Sequence, residues 1–374
     1  MGRFPGARFV LPGVLVAVAA ITLVLAAVAS AAVPADIANR VKAYKAIPTF
    51  TPPGPPIDAS KARGKKIFII PESSAIPFIN TIDKSIEKVA KLAGITTTVY
   101  VNQGQPSQWI AGLNQALVQK PDLIMLQGAP DPRVLQPQLV AAKKAGIPVL
   151  VTHFFEESDP MPANVTALVR VQFNQAARLE ADYTIVDTGG KANVVILTSN
   201  EIPIAKGMLA AMKQEFAKCG SGCKYKIINV PITNWATQIQ TNVQSALVRD
   251  PSVNYIIPFV DGMAQFVATG ITAAGQVGKV KISTFNGTGF ALKMIQDGNI
   301  VAMDAGENLD WLGWADMDQA LRILVGATPV QSEHTPLRVF DRSNVGEAGT
   351  PPRDSSGYGN AYIQGYKKLW GLAK

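Results

Sequence analysis

Two histidines, His153 and His334, and two cysteines, Cys219 and Cys223, are the only residues of their kinds among 374. With Ser73, Ser74 or Thr152, His153 has the residue types of a nucleophile and its base. No G-x-S-x-G elbow occurs, nor an H-E-x-x-H or a cysteine in a nucleophile's context, so the pattern of an exported hydrolase is not completed. Phosphate chemistry is the other candidate, because the turn Asn286-Gly287-Thr288-Gly289 lies between an apolar run and a helix-like run in "KISTFNGTGFALKMIQDGNIVAMDAGE". It offers neither G-x-x-x-x-G-K-[ST] nor G-x-G-x-x-G, and the next helix opens with "FALK", so a nucleotide is excluded. No cofactor is expected. A lone C-x-x-x-C without a nearby histidine or second cysteine pair is a poor zinc site, so no metal is expected either.

The elements that must position these residues begin after an N-terminal segment of different character. Arg3 and Arg8 precede the uncharged stretch "FVLPGVLVAVAAITLVLAAVASAA", which ends in small residues. Residues 1–32 read as an export signal cleaved after Ala31 or Ala32, and the length of the apolar run keeps an uncleaved membrane anchor as the alternative. Beyond an export signal oxidation is the default, so a local Cys219–Cys223 disulfide, worth about 2 kcal/mol in the chain-entropy model, is favoured over two free thiols. Residues 33–64, with "IPTFTPPGPPIDASKARGKK", read as a proline-rich, semi-rigid spacer.

Composition sets the scale of the rest. The chain is 48% hydrophobic and 17% charged, which fits a folded protein, and its length suggests two lobes. The formal charge is +8; the two arginines of residues 1–32 account for two units, leaving 33 basic against 27 acidic residues. That excess is dispersed in pairs such as Lys65-Lys66 and Lys143-Lys144, so no nucleic-acid partner is expected.

Nine short apolar, β-rich runs alternate with amphipathic helical stretches, the pattern of parallel α/β architecture. They are 67–70, 97–101, 123–126 and 149–152, then 193–198, 226–230, 255–259, 281–285 and 301–305. The helical runs put Trp109, Leu113, Ala116 and Leu117 on one face, and Met208, Ala211, Met212 and Phe216 on another. A pause at "HFFEESDPMPANVTAL" divides the strands into four and five, hence two three-layer lobes. Ligands of parallel sheets bind beyond the carboxyl ends of the strands, so the residues just after each run are the candidates for a cleft.

The order of "KKIFIIPESSAIPFINTIDKSIEKVAKLAG", "KPDLIMLQG", "AAKKAGIPVLVT", "DPSVNYIIPFVDGMAQFVATGITAAG", "KISTFNGTGFALKMIQDGNIVAMDA" and "GWADMDQALRILVGATPV" resembles the ribose-binding-like solute receptors of ABC importers. Their fold is shared with LacI-type regulatory domains, but no helix-turn-helix precedes the first strand here. The resemblance spans about Lys65 to Arg338. It implies the type I periplasmic binding protein fold, two Rossmann-like three-layer lobes with parallel sheets joined by a hinge. It also implies an exported, monomeric receptor that takes up a small molecule without transforming it and presents it to a membrane permease. The alternative within the same resemblance is a sensory receptor for a membrane kinase.

Carried over position by position, the resemblance places a site but changes its chemistry. The family's Asn-Pro-Phe-Phe becomes Ile76-Pro77-Phe78-Ile79, and its hydroxyl-clamping Asp-Arg becomes His153-Phe154. Its second-lobe arginine falls on Ile204, its asparagine after the strand on Val260 beside Asp261, and its acid in Phe-Asp-Gly-Thr on Asn286. Gln127 stands for an asparagine, Asn234 or Trp235 for a stacking aromatic, and Glu307 for a glutamine. With every arginine clamp missing, buried hydroxyls would each lack a partner at about 1–3 kcal/mol, so a ligand with more apolar or aromatic surface is expected.

The crossovers are expected near Val171–Asn174, Glu307–Asp310 and Gln331–Thr335. This divides the chain into 65–171 with 309–331 as the N-terminal lobe and 172–308 with 332–340 as the C-terminal lobe. Residues 341–374 are left as an extension whose final helix has Tyr362, Tyr366 and Leu369 on its apolar face. Closure about this hinge would bring the lobes onto the ligand. The first expected outcome concerns the cysteines: thiol labelling of denatured, unreduced protein finds no free thiol, and labelling of both would place the chain in a reducing compartment.

Overall fold

The structure is a computed structural model, and it describes residues 1–3, 6, 33–128, 130–298 and 300–372. The export segment expected over residues 1–32 lies almost wholly outside these. Among the described residues no helix is long and apolar enough to cross a membrane.

Two sheets organise the chain. The first joins β1 (Lys66–Pro71), β2 (Thr96–Val99), β3 (Leu123–Gln127), β4 (Val149–Glu156) and β5 (Ala167–Val171) in the order β2-β1-β3-β4-β5, all parallel. The second joins β6 (Asn193–Thr198), β7 (Lys224–Asn229), β8 (Tyr255–Pro258), β9 (Lys281–Asn286), β10 (Val301–Glu307) and β11 (Leu337–Asp341) in the order β11-β10-β9-β8-β6-β7. Only β11 runs antiparallel.

The helices cover both faces of each sheet, as parallel strands buried on two sides require. In the first lobe α2 (Pro77–Leu92) and α10 (Leu309–Leu324) lie over Ile67, Ile69, Leu123, Met125 and Leu150. On the opposite face α3 (Pro106–Gln119) and α4 (Gln136–Lys144) cover Phe68, Ile70, Ile124, Leu126 and Val151. The second lobe is built likewise with α5 (Phe173–Asp187), α6 (Ala205–Lys218), α7 (Trp235–Arg249), α8 (Asp261–Ala273) and α9 (Gly289–Gln296). Met208, Ala211, Met212 and Phe216 are all buried in its core.

Among the described residues eleven strands stand where the sequence pattern shows nine runs. The two additional ones, β5 and β11, each contain a buried arginine that interrupts the apolar pattern. Arg170 donates to the carbonyls of Glu156 and Asp159 at 2.9 and 2.6 Å, and Arg338 donates to the carbonyl of Lys45 at 3.0 and 2.9 Å. Both guanidinium groups satisfy loop carbonyls, a role that strand periodicity does not show.

The segment 33–64 is not a spacer before the fold. It opens with α1 (Ala35–Tyr44), which packs on α5 and buries Ile37 and Val41. Arg40 reaches the buried acids Asp182 at 2.6 Å and Glu215 at 2.8 Å, the latter paired also with Lys218 at 2.6 Å. The prolines follow α1 and carry the chain onto the first lobe. There Arg322 Nη1 donates to the carbonyl of Pro55 at 3.0 Å, and Ile57 N donates to that of Leu369 at 2.9 Å.

Residues 341–374 do more than append a helix. Tyr362, Tyr366 and Leu369 of α11 (Ala361–Leu369) are buried, and the ring of Tyr362 stacks on Trp311 at 4.6 Å. Ahead of it, Tyr358 is buried between the two glycines at the ends of β9 and β10. A Cβ on Gly306 would overlap its hydroxyl oxygen, and one on Gly287 would lie 2.7 Å from it. Gly287 has φ +72°, so both the space and the backbone call for glycine. Gly306→Ala is therefore expected to destabilise the fold by about 1–3 kcal/mol through overpacking, read as a lower denaturation midpoint. An unchanged midpoint would mean Tyr358 moves aside freely.

Candidate functional site

The carboxyl ends of β4, β9 and β10 bring His153, Asn286 and Glu307 together from both lobes. His153 Nε2 lies 3.1 Å from Glu307 Oε1, and Asn286 Nδ2 donates to the same oxygen at 3.0 Å. The Phe78 ring stands 5.1 Å from the imidazole, and that of Phe173 5.7 Å on another side. His153 has φ +54° and Asn286 φ +137°, conformations that non-glycine residues seldom adopt. The strain falls on the two residues that meet at Glu307.

Electrostatics follow from burial. Removal from water, the largest single effect, opposes the imidazolium of His153, but the acids around it, Glu307 foremost, together outweigh it and the pKa is raised. Asp316 and Glu72 add to that upward pull. Asp316 is itself pushed up to about 8 by burial, although His153 pulls it down. Beneath the 286–289 turn, Asp261 accepts from Thr288 N at 2.9 Å and from its hydroxyl at 2.6 Å. Asp304 accepts from Gly287 N at 2.9 Å, and burial beside Asp261 raises it well above the usual range. The glycine turn is therefore held by two carboxyl groups from below. No group of three or more His, Cys, Asp or Glu among the described residues is placed to hold a metal.

Beside this pairing a cavity of about 810 Å³ opens between the lobes. The first lobe supplies Phe154, Phe155 and the loop Ser158–Ala163; the second supplies Phe173, Asn174, Pro203, Ile204 and Lys206. The rings of Phe154 and Phe155 meet edge to face at 4.8 Å, and the Arg133 guanidinium lies over Phe154 at 5.7 Å. Arg133 is paired with Asp131 at 2.7 Å, and Glu156 accepts from Asn174 N at 2.7 Å. The rim carries both signs of charge, while the walls are mostly apolar.

The residues singled out from the sequence divide into three groups. Phe154 and Ile204 line the cavity, whereas Phe78, His153, Asn286 and Glu307 form the interlobe cluster. The others sit in supporting positions. Ile76 precedes α2, Asn234 precedes α7 and Val260 precedes α8, each half-buried at its helix entry. Gln127 is fully buried on the α2 and α10 side of the first sheet, and Asp261 holds the turn. The Trp235 indole N–H donates to Ser199 Oγ at 2.8 Å, and its ring lies against Gly262. Cys219 and Cys223 form the disulfide, joining the end of α6 to the edge strand β7. Sequence reading did not assign Phe173, Asn174 or the 158–163 loop to the site, and it held Phe155 only among the residues that follow a strand run. Phe173 does lie in the stretch read as the first crossover; the loop's only signal was the pause between strand runs.

Two lobes of mostly parallel sheet, with strand ends of both meeting at His153, Asn286 and Glu307 and a cavity beside them, define the class of two-lobed solute receptors. The chain belongs to the family described as "Periplasmic binding protein domain", which matches residues 67–328. A curated relative, the D-ribose/D-allose-binding protein of Pseudomonas aeruginosa, is 25% identical over 233 residues, covering 60% of this chain and 69% of the relative. Among solved structures, the periplasmic ribose ABC transporter protein of Conexibacter woesei superposes with a TM-score of 0.69 at 20% identity, covering 81% of this chain and 98% of that one. An ABC transporter solute-binding protein of Mycobacterium smegmatis with bound glycerol gives 0.67 at 16%, covering 78% and 99%.

The raised pKa of His153 makes the interlobe pair proton-dependent. Its contribution is fully present below the ordinary histidine value and is lost as pH rises through the raised one. The melting temperature of wild-type protein is thus expected to fall more steeply between pH 6 and 9 than that of His153→Gln. Parallel profiles in a melting series would refute a charged His153–Glu307 pair.

Proposed function

We propose that the chain is an extracytoplasmic solute-binding protein of an ABC importer, which encloses a small organic molecule between its lobes and releases it unchanged to a membrane permease. Family membership supports receptor function, and the names of its relatives point to sugars and polyols as the ancestral ligand class. The ligand proposed here is less hydroxylated, with an apolar or aromatic part. One observation carries this: Phe154 and Ile204, which stand where the family's hydroxyl-clamping arginines were matched, both face the interlobe cavity. Without fixed bidentate donors a polyol buried there leaves hydroxyls unpaired, whereas apolar surface gains about 25 cal/mol per Å² removed from water. Polar anchoring is assigned to the His153, Asn286 and Glu307 cluster, which adjoins the cavity behind the ring of Phe173.

A thermal-shift screen of sugars, polyols, aromatic acids and amines, followed by calorimetry, tests the reading. The ligand found is expected to be partly apolar, and Phe154→Ala weakens it by about 1–3 kcal/mol, roughly 5- to 150-fold. Submicromolar affinity for ribose or glucose would overturn the ligand class. Mass spectrometry showing many turnovers of the bound molecule would overturn the receptor assignment.

A further inference from the structure

Both chain ends outside the family match cross from one lobe to the other, side by side. At the N-terminal end, α1 is fixed to the second lobe, and the carbonyl of Lys45 accepts from Arg338 and from Asn344 Nδ2 at 3.3 Å. Five residues later the Phe50 ring is seated on the first lobe, 4.9 Å from Tyr366 and 6.2 Å from Trp311. At the C-terminal end, Tyr358 is wedged into the second lobe against Gly287 and Gly306, and four residues later Tyr362 is stacked on Trp311 in the first. Its hydroxyl donates to Asp310 Oδ2 at 2.7 Å, and Ser355 Oγ accepts from Asp310 N at 2.9 Å, at the start of α10.

The two segments touch each other as well as both lobes. A Cβ on Gly359 would lie 3.0 Å from Ile47 Cγ2, and one on Gly365 would overlap the Phe50 ring. Little slack exists in either. Five Cα steps from Lys45 to Phe50 reach at most about 18 Å when fully extended, and only Gly359 and Asn360 separate Tyr358 from α11.

We infer that the N-terminal segment 45–50 and the C-terminal segment 355–362 form a two-ply strap that restrains rotation of the lobes about their hinge. Hinge motion requires a few residues to absorb large changes of φ and ψ. Here two anchored connections beyond the three crossovers must change with them, and the prolines of 48–56 stiffen one of the two. The receptor keeps its cleft within a narrow range of openings, so the apolar walls are positioned before the ligand arrives.

Spin labels at Val118→Cys and Val248→Cys, exposed sites on opposite lobes, read this range by double electron–electron resonance. With the native strap a single narrow distance distribution is expected. A four-residue Gly-Ser insertion between Ile47 and Pro48 is expected to at least double its width while circular dichroism stays unchanged. Identical distributions in the folded insertion variant would overturn the inference, as would two well-separated distances in the protein of native length. If the insertion variant does not fold, the same spacer between Gly359 and Asn360 is judged by the same criteria.

Discussion

Between Gly306 and Trp311 the chain leaves the second sheet and enters a helix buried in the first lobe. Asn308 caps that helix by accepting from Trp311 N at 3.0 Å, so the helix starts where the strand has barely ended. Glu307 is therefore held at a fixed point between the lobes, and His153 and Asn286 must come to it. Tyr358 behind Gly306, and Ser355 at Asp310, secure the same few residues from the other side. A hinge crossing would ordinarily be a flexible place; here residues 303–309 are all buried.

The helix that follows explains why the added chain ends are needed. From Leu309 to Arg322 all but Asp310 are buried, and an amphipathic helix covers only one face against a sheet. The other face is covered by Phe50, the proline segment and α11. Trp314 stacks on Trp370 at 5.4 Å, and the fully buried pair Asp318–Arg322 is completed by the Trp370 indole N–H and the carbonyl of Pro55. A buried ion pair is tolerated when its remaining donors and acceptors are satisfied, and both extensions contribute to that.

The cleft's chemistry is a consequence of the same geometry. With His153, Asn286 and Glu307 hydrogen-bonded to one another, the open volume lies beside them, between the β4–β5 loop and the first turns of α5 and α6. Arginine side chains at positions 154 and 204 would project guanidinium groups into that volume; phenylalanine and isoleucine make it apolar. The carboxyl groups of Asp261 and Asp304 lie beneath the glycine turn and fix its backbone, so the turn's role is positional.

Much of this was legible in the sequence. Short continuous apolar runs alternating with period-3.6 runs determine a parallel α/β protein wherever the runs stay unbroken, and nine of the strands were read from them. The order of motifs determined the family, and the missing arginines were visible as single letters. The sequence did not disclose β5 and β11, because a buried arginine breaks the pattern and its partners are backbone carbonyls outside its own strand, which only the fold brings to it. Nor did it show that residues 33–64 are part of the fold: α1 is short, and Ile37 and Val41 acquire a reason to be apolar only against α5. Which candidates face the cavity was likewise decided in three dimensions. Trp235 and Phe154 read alike as aromatic letters after a strand. The indole N–H found Ser199 within its own lobe, whereas the phenyl ring of Phe154, with no hydrogen bond to make, was left to form the wall between lobes.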